Sequence, residues 1–342
     1  MTKKTCVFVL FLALLLASCE QKQPEHAFYY WKTRFAISAD QKQFLNSLDV
    51  TKLYIRLFDV GWDETRQRVF PQGKIRFSSS VPKGMSIVPV VYITNKVFTK
   101  TKPDQVKELA GKVYKEVKAL CSSNKINYTE LQFDCDWTET TRVSYFAFLQ
   151  AIKDSLKNTD VNLSATIRLH QVKYYKLTGI PPVSRGMLMF YNMGKIDTIQ
   201  GHNSIYEQAD AAKYTQYIHS YPLHMDVVLP AFSWGIQIRK GRVIGLLNNL
   251  GLNDFENYPN FKPVAENMYE AGNSFFYRGF YFMKGDKVKV EDVSPALCKQ
   301  AAGELAEKLK RTPSTVAIYH LDSVILTRYE KSDFQEIFAN FR

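Results

Sequence analysis

Eight short runs rich in β-branched and aromatic residues recur along the chain, most of them followed by polar or helical sequence. They are 27–35 (AFYYWKTRF), 52–60 (KLYIRLFDV), 85–94 (MSIVPVVYIT), 130–137 (ELQFDCDW), 161–169 (VNLSATIRL), 186–193 (GMLMFYNM), 225–234 (MDVVLPAFSW) and 315–323 (TVAIYHLDS). Between several of them, apolar residues recur at helical spacing: Val106, Leu109, Val113, Val117 and Leu120; Tyr145, Leu149, Ile152 and Leu156; and Leu297, Ala301, Leu305 and Leu309. Strands alternating with amphipathic helices predict parallel pairing. Eight of them across roughly 300 residues predict an α/β fold of the (β/α)8 TIM-barrel kind, which usually needs about 250 residues before insertions. An open doubly wound sheet is the alternative, but no GxGxxG or P-loop marks a phosphate site at any strand end.

Two stretches break the alternation. Residues 61–84 carry Pro71, Gly73, Pro82 and Gly84 with no helical stripe. Residues 235–314 separate the seventh and eighth strands by 80 positions. Within them, 236–246 and 279–290 read as hairpins around Lys240-Gly241 and Gly285-Asp286. A small α+β insertion on the barrel rim is expected over 235–294, before a helix at 295–310.

The N-terminus has its own logic. Lys3 and Lys4 precede an apolar run from Cys6 to Leu16, too short to span a bilayer comfortably. The run ends in Leu16-Ala17-Ser18-Cys19, which resembles the lipobox of bacterial lipoproteins. That resemblance implies cleavage before Cys19, lipidation of its thiol and anchoring to a bilayer in the bacterial cell envelope. Residues 1–18 are thus read as a signal peptide, 19–26 as a tether and 27–342 as one barrel domain. A plain secretory signal with a chance cysteine is the other reading. Cys121, Cys135 and Cys298 then remain, an odd and widely spaced trio that makes no disulfide framework or zinc motif.

Composition excludes more than it identifies. With 46% hydrophobic and 23% charged residues, the chain is too apolar for disorder and too charged for a polytopic membrane protein. The formal charge of +12 falls to +10 once Lys3 and Lys4 leave with the signal. The remaining lysines are scattered, without a nucleic-acid-binding signature, so no nucleic-acid partner is expected. The 14% aromatic share is more telling.

In a barrel, functional side chains sit at the C-terminal ends of the strands. Period-two geometry puts Gln132, Asp134 and Asp136 on one face of the fourth strand. Two acids in a core-like strand are costly unless paired or solvated at a pocket. Other strand ends add Arg56 and Asp59, Arg168 and His170, Tyr191 and Asn192, Trp234, and His320 and Asp322. Trp31, Trp137 and Trp234 are read as flat platforms for sugar rings or as plain core. A polar layer of the barrel core, in which Asp134 and Asp136 only balance Arg56 and Arg168, is the alternative account of the acids.

Phe133-Asp134-Cys135-Asp136-Trp137 resembles the fourth-strand DxxDxDxE motif of family 18 glycoside hydrolases, the chitinases and endo-N-acetylglucosaminidases. Phe190-Tyr191-Asn192 is similar to that family's sixth-strand Tyr-Asp. The resemblance implies hydrolysis assisted by the substrate's own acetamido group, with no protein nucleophile. It makes Asp136 the orienting acid and Tyr191 a contact to the acetamido oxygen. The general-acid position holds Thr138, whose hydroxyl cannot serve near neutral pH. Glu139 lies one residue on, either as a displaced acid or as part of the helix start Thr138-Glu139-Thr140-Thr141.

The expectation is a lipid-anchored barrel that acts on or binds carbohydrate. Asp134, Asp136 and Glu139 are its catalytic candidates; Trp31, Arg56, Asp59, Trp137, Arg168, Tyr191, Asn192, Trp234, His320 and Asp322 are its ligand contacts. No cofactor is called for. The alternatives are a non-catalytic glycan-binding lipoprotein and, behind it, a metal-dependent hydrolase using Asp134, Asp136, His320 and Asp322.

Overall fold

The computed structural model describes residues 23–342 apart from Asn249, Ser323 and Val324, so the lipobox and Cys19 lie outside the described residues. Eight parallel strands form a closed barrel: β1 (Glu25–Tyr30), β2 (Val50–Asp63), β3 (Ser86–Ile93), β4 (Glu130–Asp134), β5 (Asn162–Arg168), β6 (Arg185–Met189), β7 (Met225–Pro230) and β8 (Thr315–Tyr319). Closure comes from β1, which pairs with β8 at Ala27↔Ala317 and with β2 at Phe28↔Leu53. Glu25 and His26 therefore belong to the barrel and not to a tether. All eight expected strands exist, although the run at 225–234 divides. Pro230 ends β7, and Trp234 belongs to the first strand of the insertion, Ser233–Arg239.

Parallel strands buried on both faces need apolar residues at nearly every position. β3 and β7 show this, with Ile87–Val91 and all of Met225–Pro230 buried. Their outer faces are covered by helices whose stripes follow the spacing in the sequence. Helix α1 (Ala39–Ser47) opens on a reciprocal cap between Ser38 and Gln41. Helix α2 (Val106–Ser123) buries Val106, Leu109, Val113 and Val117. Helix α3 (Arg142–Leu156) buries Tyr145, Leu149, Ile152 and Leu156. Helices α4 (Gln208–Thr215), α5 (Pro295–Lys308) and α6 (Lys331–Ala339) follow later in the chain. Between β2 and β3 no helix forms among the described residues. Instead β2 folds back, and Asp59–Asp63 pairs antiparallel with Arg68–Gln72.

The insertion is a five-stranded antiparallel sheet with its own core, which includes Leu247, Phe255, Phe261 and Val288. One expected hairpin is present: Ser233–Arg239 and Arg242–Asn248 turn through Lys240 and Gly241, both at positive φ. The other is not. Residues 280–282 pair with 275–277, while Lys287–Asp292 runs between Ser233–Arg239 and Met268–Ala271.

Inside the barrel, the side chains of β4 climb in a polar column. Glu130 accepts from Ser164 Oγ at 2.6 Å, Gln132 accepts from Tyr29 across the barrel at 2.5 Å, and Asp134 accepts from Thr166 Oγ1 at 2.6 Å. The same alternation sends Phe133, Cys135 and Trp137 outward beneath α3. Trp137 is 0% exposed, packs on Tyr145 and Phe146, and donates its indole N–H to Thr178 O at 2.8 Å. Trp137→Ala is expected to cost about 3–5 kcal/mol of unfolding free energy in a denaturant titration. A loss below about 1 kcal/mol would show that the indole is not part of the core.

Candidate functional site at the barrel mouth

β5 supplies the cation that organises the C-terminal end of the barrel. Arg168 closes β5, and its Nε donates to Asp136 Oδ1 at 2.5 Å while its other end lies 3.8 Å from Asp134 Oδ1. The guanidinium also sits over the Tyr191 ring, 5.9 Å from its centre. Asp134 is buried, whereas the Asp136 side chain is 44% exposed. Burial pushes the Asp134 carboxyl up to about 6; Arg168 opposes that shift and Asp136 adds to it. Two acids and one permanent cation therefore share the mouth.

Around this group lies a cavity of about 330 Å³ lined by Trp31, Tyr92, Asp134, Arg168, Tyr191, Asn192, Phe232, Ser233, Trp234, Asn248, Tyr319 and His320. A second hollow of about 250 Å³ adjoins it, sharing Arg168, Tyr191 and Asn192 and adding Asp136, His170 and Tyr214. The walls are aromatic and interlocked. Tyr319 contacts Tyr191, Phe232 and Trp31, and Phe232 stands edge-on to Trp234. Trp234 is held by its indole N–H, which donates to Glu291 Oε2 at 2.9 Å. The Tyr191 hydroxyl donates to Met189 Sδ at 3.0 Å, a weak bond that a better acceptor would displace. His320 follows a cis peptide bond from Tyr319, and its burial depresses the imidazole pKa, favouring the neutral form.

The mouth thus brings together Trp31, Asp134, Asp136, Arg168, Tyr191, Asn192, Trp234 and His320. Other candidates stand elsewhere. Trp137 is core, which removes it as a platform: it lies on the outward parity of β4, opposite to Asp134 and Asp136. Arg56 and Asp59 hold each other in a two-pronged ion pair at 2.6 and 2.5 Å. They support Trp31, over whose ring Arg56 lies at 5.9 Å, and do not line the cavity. Asp322 accepts from the backbone N–H of Ile325 at 2.9 Å and lies 3.9 Å from His320 Nε2, beside the cavity lining and not part of it. Asp134, Asp136, His320 and Asp322 do not converge as metal ligands among the described residues.

Glu139 is exposed on the turn between β4 and α3, outside both hollows, and its side chain makes no hydrogen bond or ion pair among the described residues. The α3 start is tied by threonines instead: Thr138 N–H donates to Thr141 Oγ1 at 3.0 Å, and Thr141 Oγ1 donates to Asn95 Oδ1 at 2.5 Å. Tyr92, Phe232, Tyr319 and Asn248 line the mouth without having been singled out from sequence. Tyr92 and Tyr319 were detectable by strand alternation, since each occupies the last turn of its strand.

No family model and no curated protein matches the chain by sequence. Solved structures do match it by shape. The spore cortex-lytic enzyme SleL of Bacillus megaterium aligns over 95% of this chain and 76% of its own, with TM-score 0.56 and 13% identity. A chitinase from Chromobacterium violaceum aligns over 92% and 99%, at 0.54 and 9%. The chitinase-like agglutinin RobpsCRA from Robinia pseudoacacia aligns over 92% and 99%, at 0.51 and 12%. The fold is a chitinase-like TIM barrel, distant from these proteins in sequence.

Proposed function

We propose that the barrel mouth binds a glycan containing N-acetylated hexosamine and does not cleave it. The observation that carries this reading is Thr138 at the acid position of the β4 motif. Its Oγ1 is within hydrogen-bond distance of the Thr140 and Thr141 hydroxyls, at 2.9 and 3.3 Å. An alcohol cannot protonate a departing sugar oxygen near neutral pH. The displaced acid Glu139 lies outside the hollows, and the carboxylates that line them are Asp134 and Asp136. Asp136 is tied to Arg168, so its charge is engaged before a ligand arrives.

Binding needs none of the missing chemistry. Trp31, Trp234 and Tyr319 offer aromatic faces to the apolar side of a pyranose ring. Asp136 can accept an acetamido N–H, while Tyr191 and Arg168 can donate to hydroxyl or carbonyl oxygens. That the same scaffold carries an agglutinin as well as chitinases supports a binding role. Hydrolysis led by Asp134 is the second reading, favoured by a carboxyl that keeps its proton up to about pH 6.

Calorimetric titration with chitooligosaccharides tests the proposal. Saturable heat is expected for the wild type, with Trp234→Ala and Trp31→Ala each weakening affinity by about tenfold or more, on the order of 1.4 kcal/mol. Absence of saturable binding at millimolar ligand would contradict it.

The reading includes a membrane anchor at Cys19, supported by Lys3, Lys4, the short apolar run and Leu16-Ala17-Ser18-Cys19. In the described residues no helix is long and apolar enough to cross a membrane. Metabolic labelling of the full-length chain with a fatty-acid analogue is expected to mark the wild type and not Cys19→Ala. An unlabelled wild type would refute the anchor.

A further inference from the structure

We propose that His202, Glu207 and Asp210 form a binding site for a divalent transition-metal ion of the zinc type, where the loop that follows β6 enters the first turn of α4. His202 Nε2 lies 3.0 Å from Asp210 Oδ2 and 3.6 Å from Glu207 Oε2. All three donor atoms fall within 4.8 Å of one another. Metal–ligand bonds of about 2.0–2.2 Å set at right or tetrahedral angles place neighbouring donors roughly 3.0–3.5 Å apart. The observed separations are close to the edges of such a shell.

Two further observations point to a ligand. Glu207 Oε2 is shielded from solvent and has no hydrogen-bond partner among the described residues, in a side chain that is otherwise 41% exposed, although Glu207 occupies the N-cap position of α4. Its carboxylate caps nothing, and a buried carboxylate oxygen without a donor is costly. A cation between the three side chains would satisfy it. The other imidazole nitrogen, Nδ1, sits 2.9 Å from Asp197 Oδ2, at ion-pair distance though not aligned as a hydrogen bond. An outer carboxylate on the far nitrogen is the arrangement that orients a metal-bound histidine.

The surrounding charges leave room for the ion. Lys213 engages the other oxygen of Asp210, and Lys289 engages the other oxygen of Asp197 and also pairs with Glu291. One imidazole nitrogen with two carboxylates selects against calcium and magnesium, which take oxygen shells.

Such an ion would brace the rim beside the mouth. Lys289 Nζ donates to Ile199 O and His202 O at 3.1 and 3.2 Å, and Ser204 bonds to Glu291, the residue that holds Trp234. An ion at His202 would therefore sit on a loop that these bonds already tie to the insertion. The site stands independently of any glycan.

The test uses the chelator-stripped protein, titrated with zinc chloride and followed by calorimetry and thermal unfolding. One ion per chain is expected, with a melting temperature that climbs with zinc concentration. Glu207→Gln and His202→Ala should each weaken zinc binding by about 100-fold, and Asp197→Asn by about 10–100-fold. Glu207 is partly exposed, so its variant reports on binding even if His202→Ala folds poorly. No zinc-dependent rise in melting temperature, or unchanged affinity in Glu207→Gln, would overturn the site.

Discussion

The ion pairing of Arg168 with Asp136 and Asp134 is the interaction on which the mouth depends. β4 carries Glu130, Gln132, Asp134 and Asp136 on its inner face, and a barrel interior tolerates such a column only if every member has a partner. Ser164, Tyr29 and Thr166 serve the lower three. Arg168 serves the last and reaches toward the third. The guanidinium keeps charge at the mouth that would otherwise be pushed out by protonation, and it backs the Tyr191 ring. Removing it would leave a buried acid and a half-exposed one facing each other across an aromatic pocket.

Much of this was legible in the residues. Parallel strands buried on both faces read as apolar runs, and all eight were found because the core demands them. The helical stripes at Val106–Val117 and Tyr145–Leu156 were visible for the same reason. Strand alternation placed Asp134 and Asp136 inward. Applied without exception, it also places Trp137 outward with Phe133 and Cys135, where the aromatic packing beneath α3 holds it. Reading that indole as a sugar platform let residue type override parity.

What could not be read is non-local. Gly285-Asp286 carries turn chemistry, yet Lys287–Asp292 finds its partners in Ser233–Arg239 and Met268–Ala271, because sheet order is decided by packing across the insertion. Asn248 reaches the mouth only through that sheet. The β strand of the motif ends at Asp134; its alternation carries on as far as Trp137, but the turn at Glu139-Thr140 breaks it, so the position of Glu139 was open. The cluster at His202 is likewise spread over a loop and a helix start without metal-motif spacing. It meets the mouth through Lys289 and Glu291, which tie together the loop, the insertion and Trp234.

The central claim is that this barrel holds a glycan without the acid needed to cut it. Its most direct test is prolonged incubation of the wild-type protein with a chitooligosaccharide, followed by mass analysis of the sugar. The account predicts recovery of the ligand at its original length while the same sample shows saturable binding. Shortened products would contradict it. A rate that falls as pH rises through about 6, where Asp134 loses its proton, would identify that carboxyl as the acid.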